Sequence, residues 1–205
     1  IQAAAIPVVL DGHDLMASAQ TGTGKTAAFM LPALHKLSEP PKGSGKGPRI
    51  LVLSPTRELA QQISAATIKY GKYMRRAKCV SILGGTPYHV QNRLLAAPLD
   101  ILVATPGRLI DHLQRGKIDF SRLEMLVLDE ADRMLDMGFI DDVNLIAKAT
   151  PESRQTLLFS ATLDGKMAQV AKNLLGEPRK VEDASAQQRH ENVEQRLHSC
   201  DVLEH

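Results

Sequence analysis

The stretch Ala19-Gln20-Thr21-Gly22-Thr23-Gly24-Lys25-Thr26 constrains this chain more than any other. It follows the short apolar run Asp14–Ala17 and leads into Ala27-Ala28-Phe29-Met30-Leu31. That order predicts a strand, a glycine-rich turn and a helix with Lys and Thr at its start. Gly22 and Gly24 accept backbone torsions that a Cβ resists. Amides of such a turn converge on polyphosphate, and the helix start adds free N–H groups and a positive dipole end. Lys25 then reaches the β- and γ-phosphates, and the Thr26 hydroxyl serves a magnesium ion. The general phosphate-loop pattern asks for Gly where this chain has Ala19, so an ordinary Gly/Thr turn stands as the bland alternative.

A length of 205 residues with 43% hydrophobic content suits one sizeable α/β domain. Aromatics make up 3% and Trp is absent, so the core must be aliphatic and base stacking on aromatic platforms is not expected. The net charge of +2 announces no polyanion partner; any nucleic-acid contact must come from local groups and backbone amides. Cys79 and Cys200 show no metal-like spacing, which favours a reduced, cytoplasmic setting. No apolar run nears the ~20 residues of a membrane span. Ile1–Pro7 reads as the middle of a longer chain, and Leu203-Glu204-His205 as native or the start of a tag.

The rest alternates strands and helices. Helices are expected over Gln2–Leu10, from the loop to about Leu37, from Thr56, over His89–Ala96, from Pro106 and from Asp164. Strands are expected at 14–19, Ile50–Leu53, Cys79–Leu83, Asp100–Ala104, Met125–Leu128 and Thr156–Phe159. Glu39–Pro48 reads as a flexible exposed loop. Leu59, Ile63, Ala66, Tyr70 and Tyr73 share one side of a helix and are assigned to the core. Met167, Val170, Ala171 and Leu174 form the buried face of the last helix, with Asp164 as its cap. Most strands are uniformly apolar, which predicts a parallel sheet covered on both faces. Each polar cluster follows a strand's carboxyl end, so the clusters should converge on one edge.

Those clusters carry the chemistry. Asp129 and Glu130 follow an apolar strand, where a phosphate-loop ATPase keeps an acid for magnesium and a second for the attacking water. Ser160-Ala161-Thr162 is either a functional turn or a helix cap. Pro55-Thr56-Arg57 and Thr105-Pro106-Gly107-Arg108 each set an Arg and helix-start amides past a strand, suited to phosphate or to plain capping. The seven histidines lack ligand spacing, and Ser160 sits in no nucleophile elbow.

Gln2, Ala19–Thr26, Pro55–Ala60, Gly84-Gly85, Thr105–Arg108, Asp129–Asp132 and Ser160–Thr162 resemble, in order and spacing, the motifs of the DEAD-box RNA helicases. The likeness covers essentially the whole chain and points to the amino-terminal RecA-like domain, a phosphate-loop fold. It implies ATP and Mg2+ as cofactors, with Gln2 on the adenine and Thr21, Gly22, Thr23, Gly24, Lys25 and Thr26 on the phosphates. Asp129 and Thr26 would serve the metal, and Lys25, Asp129 and Glu130 the chemistry. It implies an RNA sugar-phosphate partner for Pro55, Thr56, Arg57, Gly85, Thr105, Gly107 and Arg108, and a coupling role for Asp132, Ser160 and Thr162.

Residues 1–185 are expected to form this domain and 186–205 a connector, Val193–Leu197, into a second RecA-like domain that supplies catalytic arginines. The aromatic that the family carries ahead of its Gln is absent from the chain, which would weaken adenine binding. Without the second domain, the chain would bind nucleotide but hydrolyse it poorly. The competing readings are a DNA-directed phosphate-loop translocase and an ATP-gated RNA clamp or assembly platform.

Overall fold

The computed structural model describes residues 1–183. Twelve of the fifteen elements in it begin where periodicity predicts, within a residue or two; those at Ala131–Asp136, Ile140–Lys148 and Arg179–Glu182 were not expected. The helices are α1 (Gln2–Leu10), α2 (Lys25–Ser38), α3 (Arg57–Tyr70), α4 (Tyr88–Ala96), α5 (Pro106–Gln114), α6 (Ala131–Asp136), α7 (Ile140–Lys148) and α8 (Gly165–Leu174). The strands are β1 (Leu15–Ser18), β2 (Ile50–Leu53), β3 (Cys79–Ile82), β4 (Ile101–Ala104), β5 (Met125–Leu128), β6 (Gln155–Ser160) and β7 (Arg179–Glu182). They form one sheet in the order β3-β4-β2-β5-β6-β1-β7. Every pairing is parallel.

The apolar runs explain the layering. In β2, Leu51 and Leu53 enter one core while Ile50 and Val52 enter the other; β5 divides Leu126 and Leu128 from Met125 and Val127 in the same way. Side chains alternate across a strand, so a strand apolar at every position must be covered on both faces. α1, α2 and α3 pack on the first face with Phe29, Leu34 and Ile63, and α4 to α8 on the second with Leu109, Met134, Val143 and Val170.

Several expectations change. Tyr70 and Tyr73 are not core: α3 stops at Gly71, and Tyr73 is 90% exposed. The helical period continues in the sequence past a C-cap glycine, where the helix itself ends. Residues 39–46 are largely exposed as expected, but the end of that loop is fixed. Gly47 is so close to Asp119 that a Cβ there would meet Asp119 O at 1.7 Å, and Arg122 Nε donates to Gly47 O. The buried Arg49 beyond it pairs with Glu124 and donates to Glu39 O at 2.9 Å. Asp164 stands at the N-cap of α8, yet its side chain makes no capping bond. β7 (Arg-Lys-Val-Glu) has no apolar pattern and goes unseen in the sequence; it is an edge strand held by β1 alone. The expected connector lies outside the described residues. Among the described residues no helix is long and apolar enough to cross a membrane.

Candidate active site

The phosphate loop leaves β1 already tied to the next strand, because Ala19 N donates to Ser160 O at 2.9 Å. Gly22 and Gly24 both take positive φ, +83° and +80°. Gly24 is the left-handed N-cap of α2, so the free amides of that helix face the loop. Gln2 sits against this turn: its Nε2 donates to Gly24 O at 3.2 Å, and a Cβ on Gly24 would meet Nε2 at 2.7 Å. Thr23 Oγ1 closes the loop on Gln20 O at 2.8 Å. Thr26 is half-buried in the first turn of α2.

Lys25, Asp129 and Glu130 converge, as the loop and acidic pair require. Lys25 Nζ lies 3.2 Å from Asp129 Oδ1 and 3.3 Å from Glu130 Oε1. Lys25 and Asp129 are both buried. Burial pushes the Asp129 carboxyl above its ordinary pKa, and the Lys25 ammonium opposes that shift. Glu130 is the only non-glycine with positive φ among the described residues, at φ 50° and ψ 53°. Such torsions cost ~1–3 kcal/mol and gather at functional sites. They turn the side chain back over the loop, where Thr21 Oγ1 donates to it at 3.5 Å and Arg133 Nη1 lies 3.5 Å away. An open cleft of about 440 Å³ lies here, lined by Gln20, Thr21, Lys25, Glu130, Asp132 and Arg133 among others.

The set fits a magnesium ion. Both Asp129 carboxylate oxygens are buried without a hydrogen-bond partner, although Lys25 lies within ion-pair distance of one. A hard cation that keeps its own waters asks of a protein only one or two such oxygens. No cluster of three His, Cys, Asp or Glu able to hold a metal occurs among the described residues.

The other expected residues form a second group beyond β2, β3 and β4. Thr56 caps α3, its hydroxyl accepting from Leu59 N at 3.3 Å; Pro55 is buried and Arg57 exposed. Arg57 lies over the Gly85 turn, where φ is +78° and a Cβ would meet Arg57 Nη1 at 2.2 Å. Thr105 is the N-cap of α5 with Pro106 behind it, and Gly107 is exposed. Arg108 Nη1 donates to Thr86 O at 2.7 Å and to Gln91 Oε1 at 3.2 Å, with its guanidinium 4.2 Å from the Tyr88 ring.

Of the residues expected to couple the sites, Ser160 is buried and bonds its own turn, its Oγ donating to Thr162 O at 2.6 Å and accepting from Thr162 N at 3.3 Å. Asp132 lines the cleft but makes no hydrogen bond to either residue. Sequence reading missed Gln91, which is fully buried. The signal was present: Gln91 lies one helical turn ahead of Leu95, so a glutamine occupies an inward position of α4. It also missed Arg133, an ordinary helix-surface arginine by pattern.

The family model for the DEAD/DEAH box helicase matches residues 1–170. ATP-dependent RNA helicase DeaD of Klebsiella pneumoniae is 49% identical over 181 residues, and that of Escherichia coli strain K12 is 50% identical. Each alignment covers 88% of this chain and 28% of the relative, so the chain spans under a third of their length. A crystal structure of a hypothetical ATP-dependent RNA helicase from Sulfolobus tokodaii superposes with a TM-score of 0.79 at 39% identity, covering 89% of this chain and 51% of that one. A DEAD box protein from Methanococcus jannaschii gives 0.78 at 36%, covering 87% and 47%. With its loop, acidic pair and seven-stranded parallel sheet in place, the chain belongs to the DEAD/DEAH box helicase family.

Proposed function

We propose that this chain is the ATP-binding, RNA-contacting first domain of an ATP-dependent RNA helicase, and that the longer protein couples RNA-stimulated ATP hydrolysis to local opening of RNA duplexes. The convergence of Lys25 with Asp129 and Glu130 carries this reading. In the structure Lys25 holds both carboxylates. The triphosphate of ATP would draw the ammonium onto its β- and γ-oxygens and release Glu130, which would then orient the attacking water and take its proton. Asp129 and Thr26 would hold Mg2+, which supplies charge neutralisation on the phosphates. Gln2, in reach of the loop through Gly24, would read the adenine edge.

Arg57, Gly85, Thr105, Gly107 and Arg108, with the Pro55-Thr56 turn, would grip the RNA sugar-phosphate backbone, which gives binding without sequence preference. Asp132, Ser160 and Thr162 would couple the two sites; the hydrogen bond from Ala19 N to Ser160 O, which ties the phosphate loop to the end of β6, supports that reading. Arginines that stabilise phosphoryl transfer are worth ~10³–10⁵ in rate. The proposed second domain would supply them, so this chain alone should turn over slowly.

The test is ATP hydrolysis by the longer protein, with RNA, with single-stranded DNA and with neither, beside Glu130→Gln. Stimulation by RNA alone, lost in the variant, is expected. Equal stimulation by DNA would replace the reading with a DNA-directed motor. RNA release on hydrolysis without strand separation would replace unwinding with clamping.

A further inference from the structure

Residues 69–78 read Lys-Tyr-Gly-Lys-Tyr-Met-Arg-Arg-Ala-Lys, five cations and no acid, in a chain whose net charge is only +2. They run from the last turn of α3 to the start of β3. The segment is folded on a three-residue period. Gly71 is buried, and Met74 and Ala77 pack against the core beneath α2 and α3. A Cβ on Gly71 would meet Ala77 Cβ at 3.1 Å and Leu34 Cδ2 at 3.4 Å, and Met74 N donates to Gly71 O at 2.9 Å. The backbone N–H of Lys78 is held by Asp100 Oδ2 at 3.0 Å.

With positions 71, 74 and 77 turned inward, the pairs Lys72-Tyr73 and Arg75-Arg76 are turned out, and all four are exposed. Tyr73 is 90% exposed with Lys72 Nζ 5.4 Å from its ring centroid. None of the five cations has an ion-pair partner among the described residues. Favourable interaction with the carboxyl end of α3 accounts for Lys69, but that effect fades beyond the last turn and leaves Arg75, Arg76 and Lys78 without a reason. A pinned turn presenting guanidinium groups beside an open aromatic face is suited to single-stranded nucleic acid: cations for the backbone, a ring for a base.

We infer that residues 69–78 form a second RNA-contacting surface, in which Lys72, Arg75 and Arg76 take backbone phosphates and Tyr73 stacks on a base. This rests on RNA being the partner of the Arg57–Gly85–Arg108 group. The two surfaces share one edge of the sheet: Lys78 enters β3 and Gly84-Gly85 leave it. Six residues at ~3.3 Å each separate them by about 20 Å. That equals roughly six stacked nucleotides at ~3.4 Å each, so a longer strand reaches both surfaces and a very short one reaches one.

The experiment measures binding of fluorescent oligo(U) 20-mers and 4-mers to the chain by anisotropy over a salt series. It compares K72A/R75A/R76A, Tyr73→Ala and R57A/R108A. The triple variant should bind the 20-mer about ten-fold more weakly, with the salt slope reduced by about 2, since three fewer phosphates are neutralised. Tyr73→Ala should lose at least five-fold, as expected for one stacked base. Both should keep 4-mer binding, fluorescent-ATP affinity and melting temperature.

Unchanged 20-mer binding in both patch variants, with binding lost in R57A/R108A, overturns this surface and leaves the helicase reading intact. No RNA binding by the parent chain overturns both. Loss of binding only to phosphatidylserine vesicles, with RNA unaffected, also overturns the surface.

Discussion

Gln91 holds Arg108. Its Oε1 accepts from Arg108 Nη1 at 3.2 Å while its Nε2 donates to Leu83 O at 2.7 Å, just ahead of the Gly84-Gly85 turn. One fully buried amide therefore ties together two turns that sequence reading treated as separate motifs. Gln91→Leu keeps the packing volume but leaves Leu83 O and His112 Nε2 without this partner. It should cost ~1–3 kcal/mol of stability. The same change should weaken RNA binding with ATP affinity unchanged, checked by denaturant unfolding beside the two binding titrations.

Gly85 meets Arg57 so closely that no side chain fits between them. Gly85→Ala places a Cβ in a left-handed conformation, worth ~1–2 kcal/mol of destabilisation, and pushes the Arg57 guanidinium off its seat. RNA affinity should fall about as far as in Arg57→Ala, and combining the two changes should add little. A full additive loss in the double variant would show that the two residues act apart.

The strained torsions of Glu130 separate chemistry from stability. Glu130→Ala and Glu130→Gly both remove the carboxylate, but only Gly accepts φ 50° without cost. The Gly variant should therefore be about 1 kcal/mol more stable than the Ala variant, shifting the melting temperature ~2–4 °C. Equal melting temperatures would show that the backbone relaxes once the side chain is gone.

His112 gives the fold a weak point on the acid side. It is fully buried, its Nε2 faces Gln91 Oε1 at 2.7 Å, and its Nδ1 has no partner. The amide oxygen of Gln91 faces the ring, so the neutral ring carries its proton on Nε2. Burial holds its pKa below the ordinary 6.5; Arg108, Arg115 and Lys117 act in the same direction and Asp111 opposes them. The unfolded chain thus takes up this proton first. Stability is fully present above pH 6.5 and declines as pH falls below it. Melting temperatures between pH 7.5 and 5 should show that decline, and His112→Asn should flatten it.

Much of the architecture was legible because the central parallel strands β2, β4 and β5 are apolar at every position, a pattern that only two-sided burial explains. The convergence of Lys25 with Asp129 and Glu130 was legible because these residues sit at strand ends in fixed local spacing. What escaped notice depends on contacts across the chain. Gln91 is polar at an inward helical position, and its reason is a carbonyl in another loop. Tyr73 matched the period of α3 and failed because Gly71 ended the helix first. Lys25 and the acidic pair were assigned separate duties, yet in the structure they hold one another. Residues 105 apart in sequence give no local sign of that ion pair.

The strand order has a consequence for how the protein is made. β1 carries the phosphate loop but pairs only with β6 and β7, so Leu15 waits for Leu157 and Arg179. During synthesis the first strand of the chain leaves the ribosome with no neighbour, while β2, β4 and β5 can already assemble. Such long-range closure is slow and exposes strand edges meanwhile. The proposed ATP pocket should thus be among the last features of the nascent domain to form, and a chain released near residue 150 should be unable to protect nucleotide at all.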